Sequence, residues 1–255
     1  MTIEAVIFDW AGTTVDYGCF APVQAFVESF AQVGIEVTLD EVREPMGALK
    51  RTHIERMLAM PRIKNLFEKK YNRPSNELDV DQLLATFTEK LMTELSEHTK
   101  VKPKVVEVVN HLRKEGIKIG STTGYTSQML KPVAAAAKLQ GYAPDTVVTP
   151  DDVGGVGRPS PLMLQKNLEL LNVSKIENVL KIGDTVSDIE EGKNAGVKSI
   201  GVIEGSSIMG LSEAEYNSLT DVEKAVEMNR VRKVYENAGA DEVILNLEEL
   251  VTVLV

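Results

Sequence analysis

Asp9, Thr123, Arg158, Asp184 and Asp188 are the residues of this chain whose types and settings suggest chemistry. Asp9 closes an apolar run and is followed by Gly12 and Thr13. Thr123 stands in Thr122-Thr123-Gly124, Arg158 between Gly157 and Pro159, and the last two aspartates in Gly183-Asp184-Thr185-Val186-Ser187-Asp188. Carboxylates offer hard oxygens to a divalent cation, hydroxyls and backbone N–H groups suit phosphate oxygens, and a guanidinium grips the same oxygens. Together they fit phosphoryl transfer, where positioning and charge neutralisation supply most of the catalysis. Each residue also has an ordinary reading. A strand-end aspartate caps a turn, Asp184 and Asp188 stabilise a helix N-terminus through its dipole, Thr123 caps a helix starting near Ser127, and Arg158 is a solvated surface charge.

These residues need a scaffold that brings distant segments together. Residues 3–8, 117–121, 146–149, 179–182, 199–202 and 242–244 form short apolar runs rich in β-branched residues, and helical patterns precede most of them. The alternation predicts an α/β fold built of βαβ units around a parallel sheet. A helix over residues 103–115 begins at a proline, buries Val105, Val106, Val108, Val109 and Leu112, and stops at Gly116. Further helices are expected over 222–237 and 247–254. In such sheets ligands gather beyond the carboxyl ends of the strands, where the candidate residues lie. Between the first two strands run about a hundred residues of helical periodicity, far more than a crossover needs. Segments 21–33, 47–60 and 80–96 are read as its helices. The expected division is a core of residues 1–17 and 100–255 with an inserted helical domain over 18–99.

The 255 residues include 38 acidic and 28 basic side chains, a net charge of −10 that speaks against nucleic acid or an anionic membrane as partner. An anionic substrate would need locally placed cations. Cys19 is the one cysteine, which fits a reducing compartment. No basic segment precedes a long apolar one at the start, and no apolar run approaches the roughly 20 residues of a membrane span, so a cytoplasmic protein is expected. The first βα turn lacks Gly-x-Gly-x-x-Gly, which disfavours a dinucleotide.

The set Asp9-x-x-Gly12-Thr13, Thr123, Arg158 and Gly183-Asp184-x-x-x-Asp188 resembles the haloacid dehalogenase superfamily, a Rossmann-like core with an inserted helical cap. Within it, the strings VIFDWAGTTVDYGCFAP, PMGALKRTH, IKIGSTTGYT, TPDDV with GRPSPLM, and KIGDTVSDIEEGKNAG are similar to the phosphonoacetaldehyde hydrolase family. The resemblance implies Asp9 as a nucleophile that becomes a phosphoaspartate. It implies Mg²⁺ held by Asp9, the Ala11 carbonyl and Asp184, with Asp188 beside them. It also implies substrate contacts from Met46, Thr123, Gly124, Tyr125 and Arg158, and a homodimer through the cap. Arg158 is a departure, because most of the superfamily has lysine there, and the glycine-rich stretch 152–158 is longer than the family pattern.

Phosphomonoesterases of the superfamily carry a second aspartate two residues after the nucleophile, as general acid. Here that residue is Ala11, which has no proton to give, so phosphatase or phosphomutase chemistry on esters is the weaker alternative, and a non-catalytic binding module weaker again. Cleaving carbon–phosphorus expels a carbanion unless an electron sink receives the pair. The resemblance puts a Schiff-base lysine at Lys50. Met46, Lys50, His53 and Met57 share one helical face by spacing, although core packing and a surface lysine are the ordinary readings of that pattern. Burial and the charge of Arg51 are expected to favour neutral Lys50, and His53 to shuttle protons. His98 and His111 read as exposed helix residues, Trp10 as packing near the site. Cys19 reads as a hinge residue without chemical role, with Gly18 and residues 101–103 as hinge candidates.

Overall fold

The computed structural model describes residues 3–253; Met1, Thr2, Leu254 and Val255 lie outside them, Leu254 being the expected end of the last helix. Six strands form one sheet: β1 (Ala5–Phe8), β2 (Lys118–Thr122), β3 (Thr146–Val148), β4 (Val179–Gly183), β5 (Lys198–Val202) and β6 (Glu242–Ile244). All pair in parallel, in the order β3-β2-β1-β4-β5-β6. The order reverses between β1 and β4, and that switch point opens a crevice at the strand ends. β1 is buried along its whole length, as its unbroken apolar run requires.

Helices α1 (Phe20–Gln32), α2 (Leu39–Arg43), α3 (Lys50–Ala59), α4 (Pro61–Tyr71) and α5 (Glu77–Glu94), with a 3₁₀ turn Leu95–His98, all fall between β1 and β2 as a helical cap. Helices α6 (Val105–Lys114), α7 (Ser127–Leu139), α8 (Leu162–Leu170), α9 (Val186–Ala195), α10 (Glu213–Ser218), α11 (Asp221–Ala238) and α12 (Glu248–Val253) follow, interleaved with the later strands. Val105, Val108, Val109 and Leu112 of α6 are buried, though the helix starts two residues after Pro103. One apolar cluster runs from Val6 and Phe8 in the sheet to Phe26, Phe30, Phe87 and Leu91 in the cap.

The two chain crossings between core and cap lie side by side. Val15 bridges Val101 in antiparallel fashion, the Asp16 N–H donates to Lys100 O, and the Lys102 N–H to Thr14 O. The Asp16 carboxylate accepts the Phe20 and Ala21 N–H groups, capping α1. His98 is not an exposed helix residue: it is half-buried, with Nδ1 3.2 Å from Asp16 Oδ1, and that carboxylate raises its pKa. The expected helix over 47–60 begins only at Lys50, because residues 43–48 turn, with Met46 N–H bonded to Arg43 O and Ala48 N–H to Pro45 O. Met46 therefore precedes the helix instead of sharing its face. No helix of the described residues is long and apolar enough to cross a membrane.

Candidate active site

Asp9 follows β1 at the switch point, with its N–H on Ile182 O at 2.9 Å. The chain turns back at once: Thr14 and Val15 N–H both reach Trp10 O, and the Thr14 hydroxyl donates to Asp9 O at 3.0 Å. Gly12 has φ +91°, and a Cβ there would stand 2.2 Å from Asp184 Oδ2, so only glycine lets this loop meet the end of β4. Asp184 and Asp188 come from the β4–α9 turn. Thr185 caps α9, accepting the Asp188 N–H, while its own N–H and hydroxyl donate to Asp188 Oδ2.

Asp9, Asp184 and Asp188 are all buried, with one oxygen of each lying within 4.8 Å of the others. Burial pushes Asp9 up to about 7; Arg158 opposes this, and Asp188 and Asp184 add to it. Asp184 is raised by burial and by Asp188, even though its oxygens accept from the Thr13 hydroxyl and the Ser207 N–H, each at 2.8 Å. Burial acts upward on Asp188 too, but Arg158 and Lys181 outweigh it and hold its carboxyl below the ordinary range. A purely oxygen donor set with two carboxylates strained toward protonation fits a hard divalent cation. Asp188 is the least available of the three, since Thr185 occupies Oδ2 while Arg158 and Lys181 both stand 2.9 Å from Oδ1.

Arg158 is buried and spends its donors on one cluster. Nη1 meets Asp9 Oδ1 at 2.7 Å and Asp188 Oδ1 at 2.9 Å, Nε donates to Glu191 Oε2, and Nη2 to the Thr122 hydroxyl. A guanidinium has five N–H groups, so one on Nη2 remains for a substrate. Sequence reasoning gave no role to Lys181, Glu191 or Thr122, which stand behind it. Lys181 Nζ lies 2.9 Å from Asp188 Oδ1 and from Thr122 Oγ1, and 3.2 Å from Glu191 Oε2. The available signal was a lysine inside an otherwise apolar strand.

Across a cavity of only about 20 Å³ stands Lys50, in the first turn of α3. It is 4% exposed and makes no hydrogen bond or ion pair among the described residues. Instead Nζ sits over the rings of Tyr125 at 5.2 Å, Phe26 at 5.8 Å and Phe87 at 6.0 Å. Burial lowers its pKa to about 8, and the charge of Arg158 acts the same way. The positive end of the α3 dipole also disfavours an ammonium there. The expected help from Arg51 is absent, because Arg51 faces outward and pairs with Glu55, Glu77 and Asp81.

The cavity brings Asp9, Ala11, Met46, Lys50, Thr123, Gly124, Tyr125 and Arg158 together. A Cβ on Gly124 would lie 3.0 Å from Gly47 O and Ala48 O, so a bare backbone lets this loop meet the cap. Thr123 does not cap α7; Thr126 does, and the Thr123 hydroxyl accepts the Tyr125 N–H. Cys19 also lines the cavity, its thiol pushed well up by burial. His53 does not line it. Its ring stacks on Phe26 at 3.8 Å and its Nε2 lies 2.9 Å from Val42 O, with Nδ1 buried and unpartnered. Burial, with Lys50 nearby, holds it neutral. Trp10 packs edge-on against Tyr142 behind the site.

Comparison with known proteins agrees with this geometry. Residues 3–196 match the haloacid dehalogenase-like hydrolase family. A phosphonoacetaldehyde hydrolase of Bacillus cytotoxicus is 48% identical over 254 residues, 100% of this chain and 96% of that protein. A bifunctional phosphonoacetaldehyde hydrolase/aminoethylphosphonate transaminase of Clostridioides difficile is also 48% identical, over 99% of this chain but only 40% of its own length. The crystal structure of a phosphonoacetaldehyde hydrolase like protein from Oleispira antarctica superposes with a TM-score of 0.96 at 39% identity, covering 100% of this chain and 92% of that one. The chain belongs to the haloacid dehalogenase-like hydrolases and, among them, to the family of the phosphonoacetaldehyde hydrolases.

Proposed function

We propose that the protein hydrolyses the carbon–phosphorus bond of phosphonoacetaldehyde to acetaldehyde and phosphate. One observation carries the reading: a buried, unpaired lysine and a buried aspartate line one cavity, and Ala11 stands where an ester hydrolase would need its acid. Neutral Lys50 adds to the aldehyde and loses water, giving a protonated imine. The Asp9 carboxylate attacks phosphorus, the carbon–phosphorus electrons flow into the imine as an enamine, and the phosphoryl group stays on Asp9. Water then hydrolyses the phosphoaspartate, and the enamine, protonated at carbon, is hydrolysed to acetaldehyde. The free N–H of Arg158, the Thr123 hydroxyl and the backbone at Gly124 hold phosphonate oxygens, while Met46 and Tyr125 pack around the imine.

His53 acts at one remove, by stacking on Phe26 beneath Lys50. Asp9, Asp184 and the Ala11 carbonyl would hold Mg²⁺, with Asp188 adjacent, and the ion would neutralise charge on the phosphonate and its nucleophile. The reading also includes a cap of residues 18–99 closing on a core of 1–17 and 100–255, a homodimer through the cap, and a cytoplasmic setting, to which the single buried thiol is suited.

Two outcomes follow from the site. Removing divalent metal with a chelator should abolish acetaldehyde release, and Mg²⁺ should restore it. Saturation at 100 times Kd should stabilise the fold by about 2.7 kcal/mol, seen as a higher Tm. The second concerns pH. Because the lysine must be neutral to attack, the rate of imine formation should climb tenfold per pH unit and level off near pH 8, where Lys50 titrates. An ordinary lysine would keep climbing to about 10.4. Single-turnover rates between pH 6 and 10 read the difference.

A further inference from the structure

The catalytic cavity, at about 20 Å³, has room for roughly one water, so the closed form cannot admit an organic phosphonate. Something in its wall must move. Two of its wall residues, Met46 and Thr185, also line a void of about 440 Å³ between the cap and the core. Two other large voids, beside Glu55 and Asn76 and beside Gly34 and Lys69, share no wall residue with it. Of the shared pair, Thr185 is fixed by its bonds to Asp188 at the start of α9. Met46 lies in the turn between α2 and α3, and its side chain is unbranched and makes no hydrogen bond, so it is the wall that can swing.

Three arginines, Arg43, Arg56 and Arg230, face this void together with three carboxylates, Asp40, Glu44 and Glu190. Arg43 is bonded to Gly18 O and Ser207 O, and Arg230 to Glu227 and Ile208 O. Arg56 is exposed and has no hydrogen bond or ion pair among the described residues. It stands six residues after Lys50 on the same helix, about 9 Å along its axis. Asp40, Glu44 and Glu190 also make no ion pair among the described residues, so the mouth carries no excess positive charge, and Arg56 is its one guanidinium free to take an anion.

We propose that this void is an outer anion-binding vestibule, in which Arg56 receives the phosphonate dianion before it passes Met46 into the catalytic cavity. The proposal rests on the reading of the site given above. Arg56→Glu should lower kcat/KM about tenfold at low ionic strength and leave kcat unchanged, with the gap closing as salt rises. Lys69→Glu, the same charge change beside a void that does not adjoin the site, should match the parent protein. A steric test uses Arg56→Cys and Lys69→Cys, since the native Cys19 is buried. A bulky maleimide on the first should abolish turnover that the unlabelled variant retains, and on the second should not. The vestibule is overturned if labelled Arg56→Cys turns over normally, or if Arg56→Glu behaves as Lys69→Glu at every salt concentration. If the parent protein releases no acetaldehyde, the reading of the site fails instead. The vestibule is then decided by binding of inorganic phosphate, which labelling at Arg56→Cys should block and unchanged binding would refute.

Discussion

Replacing Lys50 by methionine is expected to abolish acetaldehyde release while making the folded protein more stable. Without an imine the leaving group is a bare carbanion, so turnover should fall by roughly 10⁴-fold or more, at least about 5.4 kcal/mol of barrier. Stability should move the other way. Lys50 is buried, makes no hydrogen bond or ion pair among the described residues, and titrates at about 8 in place of its ordinary 10.5. Below pH 8 the amine is charged in both the folded and unfolded chains, and the folded state bears the whole cost of burying it. At 1.36 kcal/mol for each tenfold, that cost is about 3 kcal/mol. As pH rises from about 8 toward 10.5 the folded amine is already neutral, so the cost fades. The Lys50→Met protein should therefore unfold at higher denaturant than the parent at pH 7, and the gap should close by about pH 10. A variant that is less stable at pH 7 would show that the lysine has a partner in the fold.

Asp9→Asn should be equally inactive, with turnover down by roughly 10⁴-fold or more, because an amide cannot form the acyl phosphate. It should fail at a different step. Asp9 touches Arg158, not Lys50, so the lysine is left in its pocket and imine formation goes on. Borohydride added to this variant with substrate should leave a phosphonoethyl group on Lys50, detectable by mass. In the parent protein, where carbon–phosphorus cleavage proceeds, ethyl should also appear. An Asp9→Asn protein that still releases phosphate at the parent rate would remove Asp9 from the mechanism.

The strands were legible because a parallel sheet covered on both faces buries its strands, and β1 is a continuous apolar run while β2, β4 and β5 are buried along nearly all of their length around Ile119, Ile182 and Ile200. Asp9 and Asp184 were legible from their place at strand ends. What local sequence does not carry is which distant side chains meet. Lys181 points into a cluster that exists only because β4 lies beside β1, and Glu191 reads as a helix-surface residue until α9 packs over that cluster. Lys102 is a further case: it is buried, with Nζ 2.5 Å from Gly12 O and 2.6 Å from Glu204 O, tying the segment that returns from the cap to the loop after Asp9. Periodicity put Met46 on the same helical face as Lys50, but a turn comes first, and Met46 reaches the cavity from the loop. Arg51 and His98 were misjudged for a similar reason, since their partners, Glu77 and Asp81 for one and Asp16 for the other, lie far along the chain.

The proposed chemistry turns on the lysine. Three lysines of this fold, Lys50, Lys102 and Lys181, are almost fully buried, but Lys102 is bonded to carbonyls and Lys181 to carboxylates. Incubation with phosphonoacetaldehyde and borohydride, followed by proteolysis and mass spectrometry of the peptides, should find the reduced adduct on Lys50 alone, with activity lost in proportion to labelling. Full labelling of another lysine, or turnover with no adduct at all, would contradict it.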